Sequence, residues 1–390
     1  MTIDAVSARP AVQALESSLI RVVANAGMGR TDVLPFWFGE SDQPTAPFIR
    51  EAAMASLASG ETFYSQNMGR PYLREALSRY LGDLHGVPVD AGRIAAVGSG
   101  VNALMLAAQT VISPGDRVVA VTPLWPNITE IPKIMGAEVV RVPLAVANGK
   151  WSLDLDRLLA ALTPGTRMVI VNSPNNPTGW TIEDDQVDAV LAHCRKHGIW
   201  VLSDDAYERL VHAPSRKVAP SFLARYQPGD RIISANTFSK AWTMTGWRAG
   251  WLVVPPELSA DLGKIIEYNT SCIFEPVQRA ATVALQQGEP EVAKLRAQLT
   301  ATRELLVGAL RALPGVVVPE AGGAMYVFFR VAGWDDTLGL AKRLVEEAGL
   351  GLAPGGAFGP EGEGWLRWCH ATSPEKLRDG VARLQRFLGA

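Results

Sequence analysis

From about residue 93 the chain alternates short β-rich runs with helical segments, and no other feature narrows the fold as much. Runs at 94–97, 117–121, 138–142, 168–171, 199–202, 231–235 and 249–254 are spaced by stretches long enough to carry crossover helices. That spacing predicts a mostly parallel sheet covered on both faces. The unusual polar clusters fall just past the ends of these runs. Gly98-Ser99-Gly100 follows the first, Asn172 to Gly179 the fourth, Ser203 to Tyr207 the fifth, and Asn236-Thr237-Phe238-Ser239-Lys240 the sixth. In open α/β sheets that edge is where ligands bind.

A long helical stretch over 277–313 leads to a second region, where 326–329 and 365–368 read as strands flanking a helix over 337–348. We expect a large domain over 41–285 and a smaller α+β domain over 286–390, with segment 1–40 contributing to the smaller one. A chain of 390 residues makes two domains the default. Lys+Arg 37 against Asp+Glu 39, with no basic run, argues against a nucleic-acid partner. Cys194, Cys272 and Cys369 have no paired spacing and read as reduced thiols of a cytoplasmic protein. His193 and His197, with Cys194 between, stand at i,i+4 and could hold a metal; a wet helix end explains them more simply, so no metal is expected. Residues 1–18 lack a basic-then-apolar signal design, and no apolar run reaches membrane length.

Lys240 stands between small residues at a strand end, where its amine suits Schiff-base chemistry with an aldehyde. Thr237, Ser239 and Arg248 offer donors and a positive charge for a phosphate. Those are the two ends of pyridoxal phosphate, whose remaining needs can be sought one by one. Asp204 can face the pyridine nitrogen, although a helix N-cap explains it too. Tyr207 and Asn176 can donate to the phenolic oxygen and hold down the Schiff-base pKa. Trp125 can cover a ring face or belong to the core. Ser99, Gly100 and Val101, opening a helix, offer backbone N–H groups to the phosphate.

Asp204-Asp205-Ala206-Tyr207, Asn176-Pro177-Thr178-Gly179 and Thr237-Phe238-Ser239-Lys240 with Arg248 stand in the order and spacing of the class I/II aminotransferases. Upstream, Gly39-Glu40-Ser41-Asp42 and Phe63-Tyr64 with Gly69 extend the likeness; downstream, Pro354 to Gly359 and Gly364-Trp365-Leu366-Arg367 do so. The chain resembles this family of fold-type-I pyridoxal phosphate enzymes over nearly its whole length.

The resemblance implies an aspartate-aminotransferase-like large domain with a mostly parallel seven-stranded sheet. It implies that Lys240 binds the cofactor covalently and shuttles the proton, and that Asp204 pairs with the pyridinium. Tyr207 and Asn176 would bind the phenolic oxygen, and Trp125 would stack on the ring. Ser99, Gly100, Val101, Thr237, Ser239 and Arg248 would hold the phosphate, joined by Tyr64 from the partner subunit of a homodimer. Arg367, with the Gly39 backbone and Asn176 alongside, would clamp the substrate α-carboxylate.

The expected activity moves the amino group of an L-amino acid to a 2-oxo acid. Val101 stands where one aspartate-specific branch has lysine, and 265–270 lacks the arginine of another, so a neutral aliphatic or aromatic donor is favoured. Phe36, Trp37, Phe38, Phe274, Met325 and Phe358 are candidate pocket linings or ordinary core. An aspartate-type transaminase, and a C–S lyase or decarboxylase on the same scaffold, remain as alternatives. A regulatory module would need an attached basic winged helix, and the stretch before Gly39 reads as neither long nor basic enough.

Overall fold

The computed structural model describes residues 7–389; the first six residues of the N-terminal stretch read above, and Ala390, lie outside the described residues. Seven strands form one sheet: β1 (Ile94–Val97), β2 (Arg117–Thr122), β3 (Glu138–Pro143), β4 (Thr166–Asn172), β5 (Trp200–Asp204), β6 (Ile232–Thr237) and β7 (Gly250–Val253). Their spatial order is β1-β7-β6-β5-β4-β2-β3. The five strands from β6 to β3 pair in parallel. Because side chains alternate across a strand, Ile170 and Leu202 enter one core while Val169 and Val201 enter the other. Both faces are therefore covered, which is why these strands read as continuous apolar runs.

Two elements depart from the sequence reading for local reasons. β7 is antiparallel to both its neighbours, β1 and β6. Only a short 3-10 turn, Thr245–Trp247, lies in the link from β6, and a link without a crossover helix returns the chain antiparallel. The helix expected over 277–313 is two helices, Glu275–Gln287 and Glu289–Arg311. Pro290 opens the second, and a Cβ on Gly288 would come within 2.3 Å of the Ala284 carbonyl and 2.8 Å of the Trp242 ring.

A second, antiparallel sheet follows: β8 (Val316–Val317), β9 (Tyr326–Val331), β10 (Ala353–Pro354) and β11 (Leu366–Cys369), in the order β8-β9-β11-β10. The early chain returns to this region. Leu34–Pro35 pairs in parallel with Leu350–Gly351, and Ile20, Val23 and Ala24 of the helix Leu19–Gly27 share a core with Leu344 and Val345. No described helix is long and apolar enough to cross a membrane.

Candidate active site

At the C-terminal edge of the parallel strands lies a cavity of about 750 Å³, and the strand-end clusters converge on it. Lys240, three residues past β6, lines it, and its Nζ donates to the Gly39 carbonyl at 2.7 Å. Burial brings this amine down to about 8, with the Arg367 and Arg248 charges adding to the shift.

Asp204 is the last residue of β5 and is buried; one carboxylate oxygen accepts from the Ala206 N–H at 3.2 Å. Burial, reinforced by the Asp205 charge, pushes its carboxyl up to about 7. A buried carboxyl so sparsely bonded is poised for a cation brought by a ligand, and the N-cap reading of Asp204 fails because no helix follows it.

Asn176 is set by Asn172 at the end of β4: the Asn176 N–H donates to Asn172 Oδ1 at 2.8 Å, and Asn172 Nδ2 donates to the Asp204 carbonyl at 3.1 Å. Arg367, on β11 and only 2% exposed, donates from Nη1 to Asn176 Oδ1 at 2.8 Å and from Nη2 to the Trp37 carbonyl. Its guanidinium lies over the Tyr326 and Phe358 rings at 4.4 and 4.9 Å, and its Nε has no partner among the described residues. Tyr207 is buried, with its hydroxyl 2.6 Å from that of Tyr326.

The other end of the cavity is a polar cradle. Ser99 caps the helix Gly100–Val111, its hydroxyl accepting from Asn102 N at 2.9 Å. Gly100, Val101, Thr237, Ser239 and Arg248 line the cavity, with Thr237 Oγ1 donating to Ser239 Oγ at 2.9 Å. Backbones approach closely here: a Cβ on Gly250 would lie 2.8 Å from Gly100 N and 2.6 Å from the Asn236 carbonyl. A helix N-terminus, two hydroxyls and a guanidinium make an anion site of phosphate character. Trp125 borders the cavity beside Ile128. Together these groups fit pyridoxal phosphate at both ends.

Two residues of the expected phosphate site do not line the cavity of this one chain, and one of them, Tyr64, is expected to reach it from the partner subunit. The Tyr64 side chain is 90% exposed and does not line the cavity. Ser99 contributes a cap, its hydroxyl engaged with Asn102, and does not line the cavity itself. Of the apolar candidates only Phe38 lines the cavity; Phe36, Trp37, Met325 and Phe358 are core, and Phe274 faces outward. Among the described residues no group of three or more His, Cys, Asp or Glu could hold a metal, and His193 lies 2.7 Å from the Leu162 carbonyl.

Sequence reasoning missed Asn172, Tyr326 and Arg21, all of which line the cavity. Asn172 could have been suspected from its strand-end position. Tyr326 and Arg21 come from distant segments and carry no local signal.

A model of the family described as aminotransferase class I and II matches residues 31–384. An aspartate aminotransferase of Pyrococcus horikoshii is 32% identical over 377 residues, 96% of this chain and 95% of the relative. The solved structure of a Thermus thermophilus aspartate aminotransferase mutant is 30% identical, with a TM-score of 0.90 over 98% of this chain and all of that one. An aromatic aminotransferase from Pyrococcus horikoshii is 29% identical, with a TM-score of 0.85 over 94% of this chain and 98% of that one. On these likenesses the chain belongs to the class I and II aminotransferases, enzymes that use pyridoxal phosphate.

Proposed function

We propose that this cavity holds pyridoxal phosphate and moves the amino group of an L-amino acid to a 2-oxo acid. The observation that carries the reading is the convergence of Lys240, Asp204, Tyr207, Asn176 and Arg367 on one cavity beside the polar cradle. When bound, the cofactor supplies an aldehyde and a ring able to accept electrons. Lys240 would hold the aldehyde, and the cradle of Gly100, Val101, Thr237, Ser239 and Arg248, with the Ser99 cap, the phosphate. Asp204 would face the ring nitrogen, Tyr207 and Asn176 the phenolic oxygen, and Trp125 a ring face.

The chain's own groups then divide the work. Arg367 would grip the substrate α-carboxylate beside the Gly39 backbone and so fix how the Cα is turned toward Lys240. An amine lowered to about 8 holds far more free base near neutral pH than an ordinary lysine, so once it is unprotonated Lys240 can receive the Cα proton and return it elsewhere. Burial of the site excludes water and strengthens these charged contacts. Borohydride reduction of the holoenzyme followed by peptide mapping should find the adduct on Lys240; an adduct on Lys133, Lys217 or Lys264 would sink the assignment.

For the donor, the apolar Val101 and the ring of Phe38 support a neutral side chain. One observation favours an acidic substrate in the same cavity. Arg21 lines it with its guanidinium 4.8 Å from the Phe38 ring centre, and it has no carboxylate partner among the described residues. A transaminase receives donor and acceptor in turn, so a cation at the mouth suits an acidic partner of either kind. A donor screen, following conversion of the bound cofactor's absorbance, separates the two; pyruvate release from cystathionine would instead mark a C–S lyase.

The exposed aromatics Phe63, Tyr64 and Tyr268 support a homodimer in which Tyr64 completes the neighbour's phosphate site. We also propose the division into 1–40, 41–285 and 286–390, and a cytoplasmic location consistent with three unpaired cysteines.

A further inference from the structure

We infer that Tyr326 is a positioning residue for the reaction: its hydroxyl donates to the Tyr207 oxygen, which directs the Tyr207 proton into the cavity. The inference rests on the proposed reading of that cavity. The two hydroxyl oxygens lie 2.6 Å apart, with the rings edge-on at 72° and 5.6 Å between centres. That separation is a hydrogen bond in which either oxygen could be the donor.

Three features orient it. The Arg367 guanidinium lies 4.4 Å from the Tyr326 ring centre and eases negative charge on that phenol. Burial and the Tyr326 hydroxyl push Tyr207 well above the ordinary phenol value and the Asp204 charge adds to this, so negative charge is disfavoured on Tyr207. The Tyr326 oxygen is also walled in: a Cβ on Gly39 would sit 1.8 Å from it. Both side chains are buried, so bulk water is no ready substitute for either partner.

With Tyr326 donating, the single Tyr207 proton is free for a ligand oxygen on the cavity side. A hydroxyl that accepts a hydrogen bond becomes a stronger donor itself. Tyr207 would therefore grip the cofactor's phenolic oxygen more firmly than an isolated tyrosine could. Tyr326 opens β9, and that strand pairs with β11, which carries Arg367 (Phe328 opposite Arg367, Tyr326 opposite Cys369). The sheet that grips the substrate carboxylate thus also sets the hydroxyl opposite the cofactor.

The test is Tyr326→Phe, which removes one oxygen and keeps the ring and its packing. The holoenzyme's visible absorbance is titrated against pH, with thermal melting as a check on folding. A weakened grip on the phenolic oxygen raises the titration midpoint, by about half a unit or more for a hydrogen bond of this kind. In a Tyr207→Phe background the second substitution should add nothing, because the relay is already cut. A midpoint unmoved in the single variant, or an equal shift in both backgrounds, overturns the inference. A wild-type protein with no visible cofactor band overturns the reading of the cavity instead.

Discussion

Replacing Asp204 by asparagine should make the cofactor-free protein more stable above neutral pH, although the same change should abolish turnover. The folded carboxyl titrates near 7 against an ordinary 3.8, because it is buried beside Asp205. A raised carboxyl binds more protons folded than unfolded between those values, so folding stability falls as pH rises through that window. The penalty is absent below about pH 4 and complete above about pH 7. Three units at about 1.4 kcal/mol each give roughly 4 kcal/mol as an upper figure for the penalty at pH 8. Asparagine carries no charge and keeps an oxygen for the Ala206 N–H. Urea unfolding of the apoprotein at pH 5 and pH 8 measures the difference. The variant should gain on wild type by up to about 2.7 kcal/mol between those two values, because only the two units from pH 5 to pH 7 fall inside that interval. Parallel curves for the two proteins across that range would refute the reasoning, since Asp204 would then not carry a buried charge at pH 8.

Other expectations follow from the same site. Arg367→Ala should cost roughly 30-fold or more in kcat/KM for every donor alike, because a desolvated guanidinium–carboxylate contact contributes about 2–5 kcal/mol and all amino acids share the carboxylate; a loss confined to one donor would contradict the assigned grip. Arg21→Ala should lower activity with acidic substrates relative to leucine or phenylalanine, and steady-state kinetics on both classes would show a uniform effect if Arg21 does not meet the side chain. Val101→Lys should shift preference toward aspartate or glutamate in the same competition. Mixing Lys240→Ala with Tyr64→Phe under subunit exchange should change activity non-additively, whereas a fully active monomer in sedimentation would remove the shared site.

The parts of the site that lie on one strand end were legible because local chemistry marks them. Lys240, Asp204, Asn176 and the Ser99-Gly100-Val101 turn each sit where an apolar run stops, and the sheet brings those stops to one edge. Tyr326 and Arg21 were not legible, since what places them at the cavity is packing between segments far apart in the chain. The Tyr326 hydroxyl meets Tyr207 across 119 positions, and no spacing rule reaches that far. The reversal of β7 and the break at Gly288 had local signals, a missing crossover helix and Gly-Glu-Pro, that apolar periodicity alone conceals.

The pairing of Leu34–Pro35 with Leu350–Gly351 has a consequence for biosynthesis. The first of these segments leaves the ribosome 316 residues before its partner, the difference between positions 350 and 34. At roughly 5–20 residues per second, that wait is about 15–60 s. Until it ends, Trp37 lacks Gly351 and Phe36 lacks Trp368, against which their rings pack. The nascent chain therefore carries a partly uncovered apolar face until residues 350–351 and the strand after them emerge, which makes this segment the natural client site for a holding chaperone.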